Sequence, residues 1–253
     1  MVGAAVKMAT EIVFGKHPVM EVLRAGRRRV ETIFHVPETA HRLKDVLDLA
    51  RQKGVPIKPA GMHQLDRRTQ GAVHQGILAV VDPIPLHTLD FFIELVKSKT
   101  RTPAVVVMDS IEDPHNFGAV LRSAETLGLA GAIFPKDRSC DINSTVVKSS
   151  AGATEHLDFC RVTNISETLK VLRNEGFYSV AAEADGEISL PDFKATYPLA
   201  IVIGSEGKGV RPLVRRNCDS SVKIPLFGNV ESLNVSSASA IIFYEVSKGF
   251  EKN

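Results

Sequence analysis

Three short stretches carry residues whose types and spacing suit chemistry. In Gly204-Ser-Glu-Gly-Lys-Gly209, three glycines in six residues let the backbone take positive φ and approach a ligand closely, with the carboxylate of Glu206 among them. Ser232-Leu-Asn-Val-Ser-Ser-Ala238 opens a helix of small residues that Ser232 or Asn234 can cap. Asn116-Phe-Gly-Ala-Val-Leu-Arg122 sets a cation in an otherwise apolar helix. Asn116 lies about 240° around that helix from Arg122, which assigns it to the leading loop or the cap. Each residue also has a plain reading. Arg122 could pair with Glu125 on the surface for ~0.2–0.5 kcal/mol. Asn116, Ser232 and Asn234 could be simple caps, Glu206 a turn carboxylate, and His115 a hydrogen-bonded loop residue that ranks low as a base. The glycine order is G-x-x-G-x-G, so it is neither a P-loop nor a dinucleotide fingerprint.

The elements around these stretches explain how they could meet. Leu199–Ile203 reads as a strand buried on both faces, and Val222–Pro225 as a second that ends in the loop Leu226–Glu231. Two strand exits and one tightly packed helix make a pocket for a small molecule. Upstream, strands are expected at Ala104–Met108, Ala132–Phe134 and Tyr178–Ala182, and helices at Asn116–Leu127, near Thr145–Ala151 and at Ile165–Asn174. This alternation predicts a mostly parallel sheet covered by helices, Rossmann-like in class. Residues 10–82 form a smaller α/β pattern. It has a helix from Pro18 to Gly26, a strand at Val30–Val36 and an amphipathic helix over His41–Lys53. A strand at Val55–Lys58, a helix at Met62–Arg68 and a strand at Gly76–Val81 follow. Asp82-Pro-Ile-Pro85 favours an extended chain, and a helix capped by Thr88 spans Leu89–Lys97. Residues 83–101 are thus a linker and connecting helix, and 102–253 the second domain. Residues 1–9 show no pattern.

Composition bounds the rest. A chain of 253 residues with 44% hydrophobic and 24% charged residues is ordinary for a globular protein. Cys140, Cys160 and Cys218 have no metal-ligand spacing and no even pairing, so no metal is expected and a reducing compartment is. Lacking a long apolar run or a signal-peptide core, the chain is expected in the cytoplasm, away from membranes. The net charge of +2 divides into +5 over residues 1–100 (15 Lys+Arg against 10 Asp+Glu) and −3 over the remainder (16 against 19). A basic front half suits a polyanion. Its clusters, Arg24 with Arg27, Arg28 and Arg29, and Arg67 with Arg68, are candidate RNA contacts, because guanidinium forks bind phosphate and stack on unpaired bases. Solvated surface turns would explain each cluster equally well.

The segments Ile203-Gly-Ser-Glu-Gly207, Ile224-Pro225 with Ser232–Ala238, and Asn116–Arg122 resemble the three signatures of the SpoU (TrmH-like) RNA ribose methyltransferases, in family order. Within that family the chain looks closest to enzymes that methylate a guanosine ribose in large-subunit ribosomal RNA. The resemblance implies a deep trefoil knot in the second domain and a front domain like the ribosomal L30e proteins, whose usual sequence Gly15-Lys-His-Pro18 and His74-Gln-Gly76 match. It implies S-adenosylmethionine held at Gly204, Ile224 and Leu233, with their neighbours Ile203, Pro225 and Leu226. Asn116, Arg122, Glu206, Ser232 and Asn234 are implied to line the catalytic pocket, with Glu206 orienting Arg122 or the substrate. It further implies a homodimer through the knotted domain. Two rival readings predict other features. A dinucleotide-dependent oxidoreductase needs a fingerprint after the Ala104–Met108 strand, and none is there. A non-catalytic ribosomal-RNA-binding protein has no need of the three signatures, and a transfer-RNA ribose methyltransferase stands as the alternative substrate reading.

Overall fold

The computed structural model describes residues 10–250, so the unpatterned stretch 1–9 lies outside the described residues. The chain divides into two compact units. Among the described residues, the first comprises those from 10 to Ile84 together with Ile142–Glu155, and the second Pro85–Asp141 with residues 156–250.

In the first unit, β1 (Glu11–Phe14), β2 (Val30–His35), β3 (Ile57–Pro59) and β4 (Ile77–Val81) form a mixed sheet in the order β1-β4-β2-β3. β4 pairs antiparallel with both β1 and β2, while β2 and β3 run parallel. The helices are α1 (Lys16–Ala25), α2 (Lys44–Gln52) and α3 (Met62–Arg68). α1 begins two residues before the expected Pro18 and stops at Gly26, whose φ of 62° is the left-handed cap that glycine adopts without strain. The amphipathic segment expected from His41 is split: a 3-10 turn over Pro37–Arg42 precedes α2, which buries Val46, Leu47 and Ala50 as the periodicity requires.

The second unit holds eight parallel strands. In chain order these are β5 (Leu86–His87), β6 (Ala104–Met108), β7 (Gly131–Pro135), β8 (Asp158–Val162), β9 (Tyr178–Ala182), β10 (Ile188–Ser189), β11 (Leu199–Ile203) and β12 (Ser220–Lys223). Their order across the sheet is β10-β12-β9-β11-β6-β7-β8-β5. Every residue of β6, β7 and β11 is buried, which is why these strands read as unbroken apolar runs. The helices of this unit are α4 (Leu89–Lys99), α5 (Pro114–Thr126), α7 (Ile165–Asn174), α8 (Pro212–Arg216) and α9 (Val235–Ser247); α6 (Ser144–Ser149) belongs to the first unit. Sequence patterning overlooked β5, β8, β10 and α8. β8 carries Asp158 and Arg161 at positions where a pure apolar run would stop, and the other three are too short for any period to register. Thr88 stands at the cap position of α4 without making a side-chain cap bond.

In this sheet β11 is inserted between β6 and β9, although it follows both in sequence. Loops from the carboxyl ends of β6, β9, β11 and β12 therefore gather at one edge, where open parallel sheets place their ligand crevices. No helix among the described residues is long and apolar enough to cross a membrane.

Candidate functional site

The loop after β11 closes on itself through paired backbone bonds between Ser205 and Gly209 (3.1 and 3.0 Å). A Cβ on Gly204 would lie 2.0 Å from the carbonyl carbon of Gly209 and 2.2 Å from the Val210 nitrogen. Glycine is therefore demanded there by the loop's own backbone, where sequence reasoning invoked only a ligand's approach. Glu183, just past β9, braces the same loop: its Oε1 accepts the Val210 N–H at 3.0 Å. Burial pushes the Glu183 carboxyl above its ordinary value of 4.5, opposed by that N–H and by Arg215, and reinforced by Asp185 and Asp109.

These groups wall a cavity of about 280 Å³. Ile203, Gly204, Ile224, Leu226 and Leu233 all line it, as do Ser232 and Glu206. Pro225 belongs to the same loop and is not among the lining residues. Sequence reasoning missed Glu183 and the α9 residues Val235, Ala238 and Ile242, which close the far side. The mixture of an apolar slot with glycine backbone fits a flat heterocycle carrying a few polar atoms.

A second cleft of about 530 Å³ shares Ser205, Glu206, Lys208 and Gly209 with the first and adds Asn116 and Arg211. A short hydrogen-bond chain crosses this region. Asn234 Nδ2 donates to Asn116 Oδ1 at 3.0 Å, and Asn116 Nδ2 donates to Glu206 Oε2 at 3.1 Å. Asn116 is thereby fixed from both sides. The structure corrects its expected position: it sits in the first turn of α5, and the cap is Asp113, whose carboxylate accepts from the N–H groups of His115 and Asn116 (both 3.2 Å). The Asp-Pro pair at the helix start was the overlooked signal. Between the two caps considered for α9, Asn234 fills the role, taking the Ser236 N–H at 2.9 Å.

Arg122 is exposed on α5, and among the described residues no hydrogen bond or ion pair holds it, including any to Glu125. It lines neither cavity, and Glu206 takes Asn116 as its partner rather than Arg122. Thiol chemistry has no support at Cys160 or Cys218, whose thiols burial pushes up to about 11 and about 12. No cluster of metal-ligating residues occurs among the described residues.

In the first unit, Arg24, Arg27, Arg29, Arg67 and Arg68 are exposed, as a phosphate-binding surface requires. Arg24 pairs with Glu21 at 2.7 Å, and the Arg68 guanidinium lies 4.2 Å from the centre of the Phe34 ring. Arg28 is not part of that surface. It is 5% exposed, donates from Nε and Nη2 to the buried Glu155 (2.9 and 2.5 Å), and reaches Glu11 at 2.8 Å and the Asp82 carbonyl at 3.1 Å. A guanidinium so enclosed is out of RNA's reach; the run of three arginines gave no sign that its middle member turns inward.

Comparison with known proteins agrees with this geometry. Residues 103–244 match the SpoU rRNA Methylase family, and residues 12–86 match the domain described as RNA 2'-O ribose methyltransferase substrate binding. The 23S rRNA (guanosine-2'-O-)-methyltransferase RlmB of Photobacterium profundum is 37% identical over 94% of this chain and 97% of its own. YacO of Bacillus subtilis, named for the TrmH family of tRNA/rRNA methyltransferases, is 35% identical over 93% of this chain and 94% of its own. Among solved structures, the SpoU methyltransferase AviRb of Streptomyces viridochromogenes, in complex with AdoMet, shares the fold, with a TM-score of 0.77 at 24% identity over 94% of this chain and 90% of the other.

Proposed function

Because this chain belongs to the SpoU rRNA Methylase family, we propose that it methylates a ribose 2'-hydroxyl in RNA, taking the methyl group from S-adenosylmethionine, and that its target is a guanosine of 23S ribosomal RNA. The observation that carries this reading is the Asn234–Asn116–Glu206 chain, set where the apolar cavity and the open cleft share a wall. One recess fits a cofactor and the other an extended substrate, with oriented polar groups between them.

Ile203, Gly204, Ile224, Leu226 and Leu233 would hold the cofactor, whose positively charged sulfur makes its methyl group electrophilic. Asn116, held by Glu206 and Asn234, orients the ribose, and Ser232 at the cavity rim adds a hydroxyl. Holding the hydroxyl in line is a large part of the rate in such a transfer. We assign Arg122 the positive charge that meets the phosphate and the developing alkoxide, although in this chain it lines neither cavity and, among the described residues, no hydrogen bond holds it. As a base it would be poor, because a guanidinium gives up its proton only above pH ~12. Arg122→Ala should abolish turnover while calorimetry finds S-adenosylmethionine affinity unchanged. Arg122→Lys should stay slow at every pH; recovery as pH rises toward ~10 would assign the residue the base role instead.

The first unit, with its exposed Arg24, Arg27, Arg29, Arg67 and Arg68, captures the RNA. Its match to a substrate-binding domain supports an RNA substrate, the likeness to a 23S rRNA methyltransferase favours ribosomal RNA, and methylation of transfer RNA alone would overturn that choice. We take this unit as L30e-like and place the enzyme in the cytoplasm. The late insertion of β11 between β6 and β9 supports a trefoil knot in the second unit, which an experimental backbone trace that threads no loop would remove. Exposed Ile241 and Tyr244 on α9 support a homodimer through the same unit, tested by sedimentation.

A further inference from the structure

The open cleft beside Asn116 has a wall that the methylation chemistry leaves unexplained. At the carboxyl end of β6, the Asp109 carboxyl is fully buried. Arg211 answers it three times: its backbone N–H donates at 2.9 Å, its Nε at 2.7 Å, and its Nη2 lies 2.7 Å from Oδ1. This fixes one edge of the guanidinium and leaves the side chain 39% exposed, with Arg211 lining the cleft. Arg138 and Lys208 line it too, and among the described residues neither has a hydrogen-bond or ion-pair partner.

Most of the nearby carboxylates have hydrogen-bond donors of their own. Asp109 is taken by Arg211, both oxygens of Asp113 accept backbone N–H groups, and Glu206 accepts from Asn116. The lining holds three carboxylates, Glu112, Asp113 and Glu206, and three cations, of which Arg138 and Lys208 have all their donors unspent. Two cleft residues, Ser110 (φ 64°) and Arg138 (φ 57°), also hold left-handed backbone that non-glycine residues rarely adopt. Such strain concentrates at ligand sites, where the surrounding structure enforces it.

We propose that Arg211, Arg138 and Lys208 form a phosphodiester subsite that grips the RNA backbone beside the target ribose. The inference rests on the ribose-methylation reading above and assigns to this cleft a ligand of its own. Arg211, clamped by Asp109, is the preorganised member, presenting its fork without a further entropic cost; Arg138 and Lys208 close on the strand as it enters.

The test uses the full-length protein and a 23S ribosomal RNA fragment, with affinity followed by fluorescence anisotropy between 50 and 200 mM salt. The double variant Arg138→Asn/Lys208→Gln leaves the Asp109 pair untouched, and asparagine tolerates the left-handed backbone. It should bind RNA about 10-fold more weakly. Its log–log salt slope should be shallower by about 1.4, which is two contacts at ~0.7 each on single-stranded RNA. S-adenosylmethionine affinity should stay within twofold in Arg138→Asn alone, because Arg138 does not line the first cavity. Arg211→Lys keeps a charge beside Asp109 but loses the fork, and should raise KM for RNA with cofactor affinity unchanged. An unaltered RNA affinity and salt slope in the double variant, with wild type methylating normally, would overturn the subsite alone. A wild type that transfers no methyl group to RNA would overturn the reading beneath it as well.

Discussion

Asn116 is the residue on which the geometry of the site converges, because its amide has one partner per side and no freedom to rotate. Asn116→Asp replaces the donor facing Glu206 with a carboxylate, so two like charges would meet across a 3.1 Å contact. Methyl transfer should fall about 100-fold, the size of a small misplacement of reacting groups. Cofactor affinity should hardly move, and a variant that kept wild-type turnover would remove Asn116 from the site. Glu183 yields a pH signature. Its carboxyl titrates above the ordinary 4.5 in the folded chain, so the native state holds the proton more tightly than the unfolded one. That contribution to stability is whole below pH 4.5 and is lost as pH rises through the folded value. Glu183→Gln keeps an acceptor for the Val210 N–H and never ionises. It should melt higher than wild type at pH 7, with the gap closing in acid; a gap that widens in acid would contradict the burial argument. Asn116 and Glu206 were legible in sequence because they sit inside short motifs. Glu183, Asp109 and Arg211 were not, since each gains its meaning from a partner many residues away.

At the scale of elements, the sequence announced the strands that are buried on both faces. β6, β9 and β11 were placed to the residue, as was α7, whose Ile165, Leu169 and Leu172 are buried at helical spacing. Elements that depend on tertiary company escaped: β8 is buried by its neighbours despite its charged positions, and β12 ends at Lys223, short of Pro225, which has no N–H to pair. The loop after β11 is the element with least latitude. Gly204→Ala places a Cβ within 2.0 Å of the Gly209 backbone, so the Ser205–Gly209 closure has to open. Overpacking of this kind costs about 1–3 kcal/mol and should lower the melting temperature together with cofactor affinity. Normal affinity in that variant would show that the cavity does not need the closed loop.

For the whole molecule, the division into units departs from simple chain order. Ile142–Glu155 lies within the stretch expected to be wholly second-domain, yet it packs with the first unit, where α6 lies on β1 and Glu155 receives Arg28. No periodicity could have announced this, because the segment is an ordinary short helix whose partners, β1 for α6 and Arg28 for Glu155, lie far away in sequence. Arg28→Ala leaves Glu155 charged and enclosed, and should destabilise the first unit by about 3–5 kcal/mol. Arg27→Ala with Arg29→Ala should leave stability nearly unchanged and weaken RNA binding instead. If Arg28→Ala melted like wild type, the ion pair would not hold the inserted segment.

The central claim is that the paired cavities carry a methyl group to a ribose oxygen. Its most direct measurement incubates the purified protein with methyl-labelled S-adenosylmethionine and 23S ribosomal RNA, then hydrolyses the RNA in alkali. Methylation of a 2'-oxygen removes the nucleophile that cleaves the neighbouring phosphodiester. The account therefore predicts that the label survives in an alkali-resistant dinucleotide beginning with guanosine, and that Asn116→Asp reduces it about 100-fold. Label recovered in single nucleotides would place the methyl group on a base and contradict the account.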